Sequence, residues 1–440
     1  MANLLLQDPF SVLKEYPERL THTFETPFHT CCVQFSYAGD YLAMGCSNGA
    51  VMIYDMDTTK PIAMLGGTSG AHVRSIQSIA WSRNGRYLIT SSRDWCVKLW
   101  DMMTPGEPLR QVKFGSSPWT CQWTSISEWK CVVTVYEEAH ASIVDFAGEV
   151  PCVRQLLASS QLKEPEGEEK QNEVDYGYSL VVCSHPKHTN LIITGTSKGW
   201  LKAYLIDGEN IELVCLYRFA PTNAKHMIMS QSGDRMAINS SDRTIRQYLV
   251  TVSDDLKKIS FTLEHKYQDV INKLQWNSIF FSSNSAEYLV ASTHGSSAHD
   301  LYLWETSTGT LVRVLEGTDE ELLDIDWNFY SMCIASNGLE TGNVYIWSLV
   351  IPPKWSALAP DFEEVEENIE YREKEDEFDQ VGQLEQQQEM DQAEEVRIDL
   401  RCRERYDVRG NEIAIDRFVV PIDYESILVL KNWHKTADRG

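Results

Sequence analysis

Over residues 1–350, short apolar runs alternate with turns of small and polar residues, and one unit of that pattern keeps returning. Each unit ends in a strand-like run that closes on an aromatic or apolar residue, often followed by an acid. Val51-Met52-Ile53-Tyr54-Asp55 and Val97-Lys98-Leu99-Trp100-Asp101 are the plainest copies, preceded by the polar turns Ser47-Asn48-Gly49 and Ser92-Arg93-Asp94. Further copies close at Val144-Asp145, Tyr204, Tyr248, Trp304-Glu305 and Trp347, which makes seven. Successive closures lie 46, 44, 60, 44, 56 and 43 residues apart. The two long intervals carry Gln161–Asp175, a stretch with six acids and two lysines, and Ser253–Tyr267. Both read as inserted loops, because lengthening a loop adds little closure entropy. Inside a unit, Tyr37-Ala38-Gly39-Asp40 and Arg83-Asn84-Gly85 precede the strands Tyr41-Leu42-Ala43-Met44 and Tyr87-Leu88-Ile89-Thr90. That grammar predicts antiparallel meanders of four strands each.

In the second unit, His72, Ser91, Asp94 and Trp100 stand where WD40 repeats place a hydrogen-bonded tetrad. A buried indole N–H and imidazole both need partners, and such a tetrad supplies them. The chain thus resembles the WD40 family, which implies an all-β fold: a seven-bladed WD40 propeller with an extended acidic C-terminal tail. The other units lack the histidine, so their stability is expected to rest on packing between blades. A propeller closes by pairing strands from its two ends. Residues near Thr21–Thr26 are therefore expected to complete the blade ending at Trp347.

Charge separates a second region. Of the net −25, residues 361–399 carry −14, with 17 Asp or Glu against three Lys or Arg. The overall balance argues against a general polyanion binder. A charge run is ordinarily a solvated surface. This one, with the residues leading into it, is punctuated by Trp355, Leu358, Phe362, Val365, Ile369, Tyr371 and Phe378, bulky apolar side chains that suit partner pockets. Too poor in apolar residues to fold alone, it is expected to order on binding.

The eleven cysteines include no C-x-x-C pair, and so read as reduced thiols of an intracellular protein. The stretch Leu4-Leu5-Leu6 is too short for a signal peptide, and no run approaches the ~20 apolar residues that span a bilayer. No G-x-S-x-G, P-loop, H-E-x-x-H or dinucleotide fingerprint is present, so neither catalysis nor a cofactor is expected.

The stretches Ala80-Trp81-Ser82-Arg83-Asn84-Gly85, Ser241-Asp242-Arg243-Thr244-Ile245-Arg246 and Leu315-Glu316-Gly317-Thr318, with Trp355–Phe362, Glu366–Tyr371 and Glu373–Asp379, resemble the retinoblastoma-binding protein 5 family. That family supplies the WD40 subunit of COMPASS and MLL-type histone H3 lysine-4 methyltransferase complexes. The resemblance implies a nuclear, non-catalytic scaffold and activator. Residues 351–380 would carry two docking segments. An activation segment with Trp355, Leu358, Phe362, Val365, Asn368 and Ile369 would lie against the catalytic SET domain. A second segment with Glu370, Tyr371, Glu373, Glu375, Glu377, Phe378 and Asp379 would bind a SPRY-domain subunit. Residues 381–393 read as linker. Within 394–400, Glu395, Val396 and Ile398 resemble a motif for a second WD40 propeller subunit, with Arg397 where the family places an acid. Arg218, Arg246 and Lys273 are implied contacts to nucleosomal DNA phosphates; single surface cations are otherwise solubilising or paired. Residues 401–440 hold alternating apolar positions between Ile413 and Leu430 that predict strands, either packed on the propeller or added to a partner. The alternative function is a WD40 adaptor of another complex, such as a ubiquitin-ligase substrate receptor; a propeller hydrolase is more remote.

Overall fold

The computed structural model describes residues 16–349, apart from 158–174 and several shorter loop stretches, and most of 418–430. Among the described residues, 28 strands form seven four-stranded antiparallel sheets. Six are consecutive meanders: residues 30–64, 76–113, 118–155, 179–218, 224–267 and 275–315, here blades 1 to 6. Blade 7 joins Leu322–Asn328, Cys333–Gly338 and Val344–Ser348 to Arg19–Phe24, with Leu20 opposite Trp347 and Phe24 opposite Val344. The expected closure and all seven repeat ends are therefore found, each repeat end on the third strand of its blade.

Position in the sheet explains the composition. Second strands such as Tyr41–Cys46, Tyr87–Ser92, Leu191–Thr196 and Cys333–Gly338 are buried at every residue, because neighbouring blades cover both of their faces. The third strands bring in the large plugs, and Trp100, Trp347, Tyr204 and Tyr248 are fully buried. Fourth strands lie at the rim and are largely exposed, as in Cys152–Gln155. At the turn between second and third strands, Gly49 (φ +89°) and Gly199 (φ +76°) are required. A Cβ at Gly199 would sit 1.8 Å from the Ala220 carbonyl oxygen.

The junctions between blades are stitched along the first strands. Gln34 Oε1 accepts the Trp81 N–H (3.2 Å), Ser78 Oγ that of Cys121 (3.3 Å), Gln122 Oε1 that of Ser184 (3.3 Å) and His226 Nδ1 that of Ile279 (3.3 Å). Between blades 4 and 5 the Cys183 sulfur bonds the Met229 backbone. Between blades 6 and 7 Asn277 Nδ2 donates to the Leu322 carbonyl (2.8 Å). At the closing junction Asp324 and Asp326 accept the N–H groups of Val33 (3.2 Å) and Phe35 (2.5 Å). Each link satisfies a backbone group in an interior where an orphan would be costly.

The two closing aspartates are buried, and desolvation lifts Asp324 to about 6 and Asp326 well above the usual carboxylate range. A carboxyl whose folded pKa is raised stabilises the fold most below its unfolded pKa, and loses that contribution as pH climbs through the folded value. The window for Asp324 is therefore roughly pH 4 to 6. Asp324→Asn cannot titrate, so its stability relative to the unsubstituted chain should rise across that window by at most about 3 kcal/mol. Denaturant titrations at several pH values measure this, and a flat difference would show that Asp324 does not change charge there.

The strands expected between Ile413 and Leu430 are not found among the described residues there; residues 413–417 lie outside them. Phe418–Asp423 join no strand among the described residues, and Tyr424, Ile427, Leu428 and Leu430 are helical. Two prolines account for this. Pro421 and Pro61, the latter on the outer strand of blade 1, lack the N–H groups a ladder would need. What forms instead is a strap across blade 1. The Asp423 N–H donates to the Ile62 carbonyl (2.8 Å) and the Val420 N–H to the Tyr41 hydroxyl (3.1 Å). Val420 packs among Tyr41, Ile62 and Trp81, with Phe418 alongside under the Arg86 guanidinium. Leu430 inserts among Tyr54, Met64 and Phe24.

Candidate functional site

Antiparallel meanders put two sets of loops on one face: the turns between second and third strands, and the crossings from one blade to the next. This loop face carries the candidate chemistry. At blade 2 the crossing residue His72 is tied to the turn residue Asp94, Nδ1 to Oδ2 at 2.9 Å. His72 Nε2 lies 2.8 Å from Thr90 Oγ1, and the Trp100 Nε1–H donates to that same oxygen at 2.9 Å. The tetrad hydroxyl is therefore Thr90 and not Ser91. Ser91 Oγ instead points to the Ser78 carbonyl at 3.4 Å.

The reason is the two-residue period of a strand. Leu88 pairs with Trp100 and Thr90 with Lys98, so Thr90 shares the indole's side of the sheet, whereas Ser91 pairs with Val97 on the other. One proton order satisfies every group: indole to threonine, threonine hydroxyl to imidazole, imidazole to carboxylate. It needs neutral His72, and burial does push the imidazole pKa down. Burial also works to raise Asp94, but the bonds from His72 and from the Cys96 and Val73 N–H groups outweigh it and hold the carboxyl at about 2. With both nitrogens and both oxygens engaged, this histidine is structural.

The three implied phosphate contacts all fall on the loop face, over blades 4, 5 and 6, but in unlike settings. Arg218 ends the outer strand of blade 4, exposed, its guanidinium 5.6 Å above the Trp200 ring. Lys273 is exposed just before the first strand of blade 6 and makes no ion pair among the described residues. Arg246 differs. It forks onto Asp242, bonds Ser240 Oγ at 2.6 Å, and leaves only 12% of its side chain exposed. Although burial alone would raise the Asp242 carboxyl, these bonds draw it below the usual range. Arg246 thus fixes a turn, and its charge is already matched.

Two segments, residues 18–55 and 60–101, match the model of the WD domain, G-beta repeat family. The chain is 58% identical to "COMPASS component SWD1" of Saccharomyces cerevisiae, covering 98% of this chain and 100% of that one. It belongs to the Swd1 and retinoblastoma-binding protein 5 family. Another relative is "Set1 complex component swd1" of Schizosaccharomyces pombe, 38% identical over 86% of this chain and 90% of that one. The Drosophila melanogaster "Retinoblastoma-binding protein 5 homolog" is 32% identical over 91% and 77% of the two chains. The crystal structure of the Cps50 (Swd1) β-propeller domain of Myceliophteria thermophila superposes with a TM-score of 0.67 at 32% identity. It covers 76% of this chain and 100% of that domain.

For this Swd1-family chain, the residues expected to meet a SET domain and a SPRY subunit, Trp355–Asp379, lie outside the described residues, as do Glu395, Val396 and Ile398. Among the described residues, no group of three His, Cys, Asp or Glu side chains is placed to hold a metal ion. No described helix is long and apolar enough to cross a membrane.

Proposed function

We propose that this chain is a non-catalytic scaffold and activating subunit of a nuclear, COMPASS-type histone H3 lysine-4 methyltransferase complex. The observation that carries the reading is the 58% identity, end to end, with COMPASS component SWD1. Residues 355–369 engage the catalytic SET domain, and 370–379 a SPRY-domain subunit. Glu395, Val396 and Ile398 reach a second WD40 subunit. The methyl donor belongs to the catalytic subunit. Holding a mobile catalytic domain in its productive arrangement raises the rate by improving the alignment of lysine and donor. The carboxylates steer encounter with basic partner surfaces, and the aromatic residues anchor it. Arg218 and Lys273 are the cations available to meet nucleosomal phosphates.

Two substitutions separate the contacts. Phe362→Ala should lower methylation by a reconstituted complex while SPRY-subunit affinity is kept, whereas Phe378→Ala should weaken that affinity about tenfold or more. Unchanged values in calorimetric titration and methylation assays would count against each role. Affinity purification of the full chain should return SET- and SPRY-domain proteins; recovery of ubiquitin-ligase components in their place would favour the adaptor reading.

A further inference from the structure

The turn of blade 2 contains an anomaly. At the matching turns of blades 1, 4 and 7 the residue with positive φ is Gly49, Gly199 or Gly342, and in blades 3 and 5 it is the polar Glu137 or Arg243, yet in blade 2 it is the aromatic Trp95, at φ +72°. A bulky residue held there is strained. Its side chain does not recover the cost by burial: Trp95 is 46% exposed and stacks on no ring among the described residues. Strain retained under an exposed aromatic residue is a signature of a contact made elsewhere.

The surroundings specify the chemistry. Val73, 85% exposed, is tied to the same turn through its N–H bond to Asp94. The Arg93 N–H donates to the Ser75 carbonyl, which sets Arg93 beside Arg74. Cys96 pairs with Lys113, and the Phe114 N–H donates to the Trp95 carbonyl, which brings Lys113 to the other side. Arg74, Arg93 and Lys113 are exposed, and none makes an ion pair among the described residues. Nor can the local acid neutralise them, because the Asp94 carboxylate is already filled by His72, Val73 and Cys96. Three unmatched cations around one exposed indole are unexpected on a chain of net charge −25.

We propose that this blade 2 sector docks an acidic peptide segment of a partner protein, with an apolar side chain of the peptide against Trp95 and Val73 and its carboxylates on Arg74, Arg93 and Lys113. A peptide fits better than nucleic acid. The next turn on the same face presents Glu137 and Glu138, so the cationic patch is short, long enough for a brief acidic segment but bounded by like charge for a phosphate backbone running on from Trp95. The site is separate from the cations over blades 4 and 6, and it stands whether or not the tail works as proposed above.

The test is a fluorescence anisotropy titration of the full chain with short labelled Glu/Asp-rich peptides, each carrying one Trp, Phe or Leu. Trp95→Gly should lower affinity about tenfold or more without lowering the melting temperature, since glycine suits φ +72°. Arg74→Gln with Arg93→Gln should weaken binding and flatten its salt dependence. The proposal fails if Trp95→Gly binds as well as the unsubstituted chain, or if lysine-rich versions of the peptides bind equally. It fails too if single-stranded oligouridylate binds more tightly in a Trp95-dependent way. If removing residues 361–399 from the full chain raises peptide affinity, the chain's own acidic stretch is the occupant and the assignment to a partner is overturned.

Discussion

Removing residues 355–379 from a reconstituted complex is expected to cut histone H3 methylation about ten- to a hundredfold, the range in which catalytic groups lose alignment without losing their substrates. The propeller should keep its melting transition. Its last strand is Val344–Ser348, closed by Arg19–Phe24, and no described strand or core cluster uses a residue of the deleted stretch. That separation gives the experiment its force, because lost activity could not be blamed on an unfolded subunit. A loss in maximal rate with little change in substrate affinity would mark an alignment role, and a loss confined to affinity would mark simple tethering. Full activity in the deleted complex would sink the activation mechanism even if the chain remained a complex member.

The architecture was legible because a propeller repeats the same burial problem seven times. Each third strand needs a buried apolar plug between neighbouring blades, and Tyr54, Trp100, Val144, Tyr204, Tyr248, Trp304 and Trp347, six of them aromatic, announce it. Finer assignments depended on facts that alternation does not carry. Ser91 and Thr90 are chemically interchangeable as tetrad hydroxyls, and only the pairing of Leu88 with Trp100 decides between them. Arg246 reads as a free cation until the turn folds Asp242 onto it. The C-terminal apolar run has the rhythm of a strand, but Pro421 and Pro61 remove the donors from both sides of the would-be ladder. The stitching of the blade junctions was hidden for another reason: it falls to Gln34 and Gln122 but also to Ser78, His226 and Asn277, so no single residue type marks it.

Thr90→Val should be the most damaging conservative change in blade 2, and Ser91→Ala next to it nearly silent. Valine matches threonine in shape, so no cavity forms, but the Trp100 N–H and His72 Nε2 both lose their partner in an interior where Thr90 and Trp100 have no solvent exposure. Two unsatisfied buried groups cost roughly 2–5 kcal/mol together. Ser91→Ala gives up a 3.4 Å contact to the Ser78 carbonyl and a weak one to the Cys121 sulfur, and should cost under about 1 kcal/mol. Equal costs in denaturant titrations would show that the hydroxyl at position 90 does not join the two rings. A second substitution sharpens the distinction. Once Thr90 is valine, the Trp100 N–H has nothing left to lose, so Trp100→Phe should be markedly less harmful in that background than alone. Additive costs would mean that the indole is held by packing alone, leaving the proton chain from Trp100 to Asp94 without energetic weight.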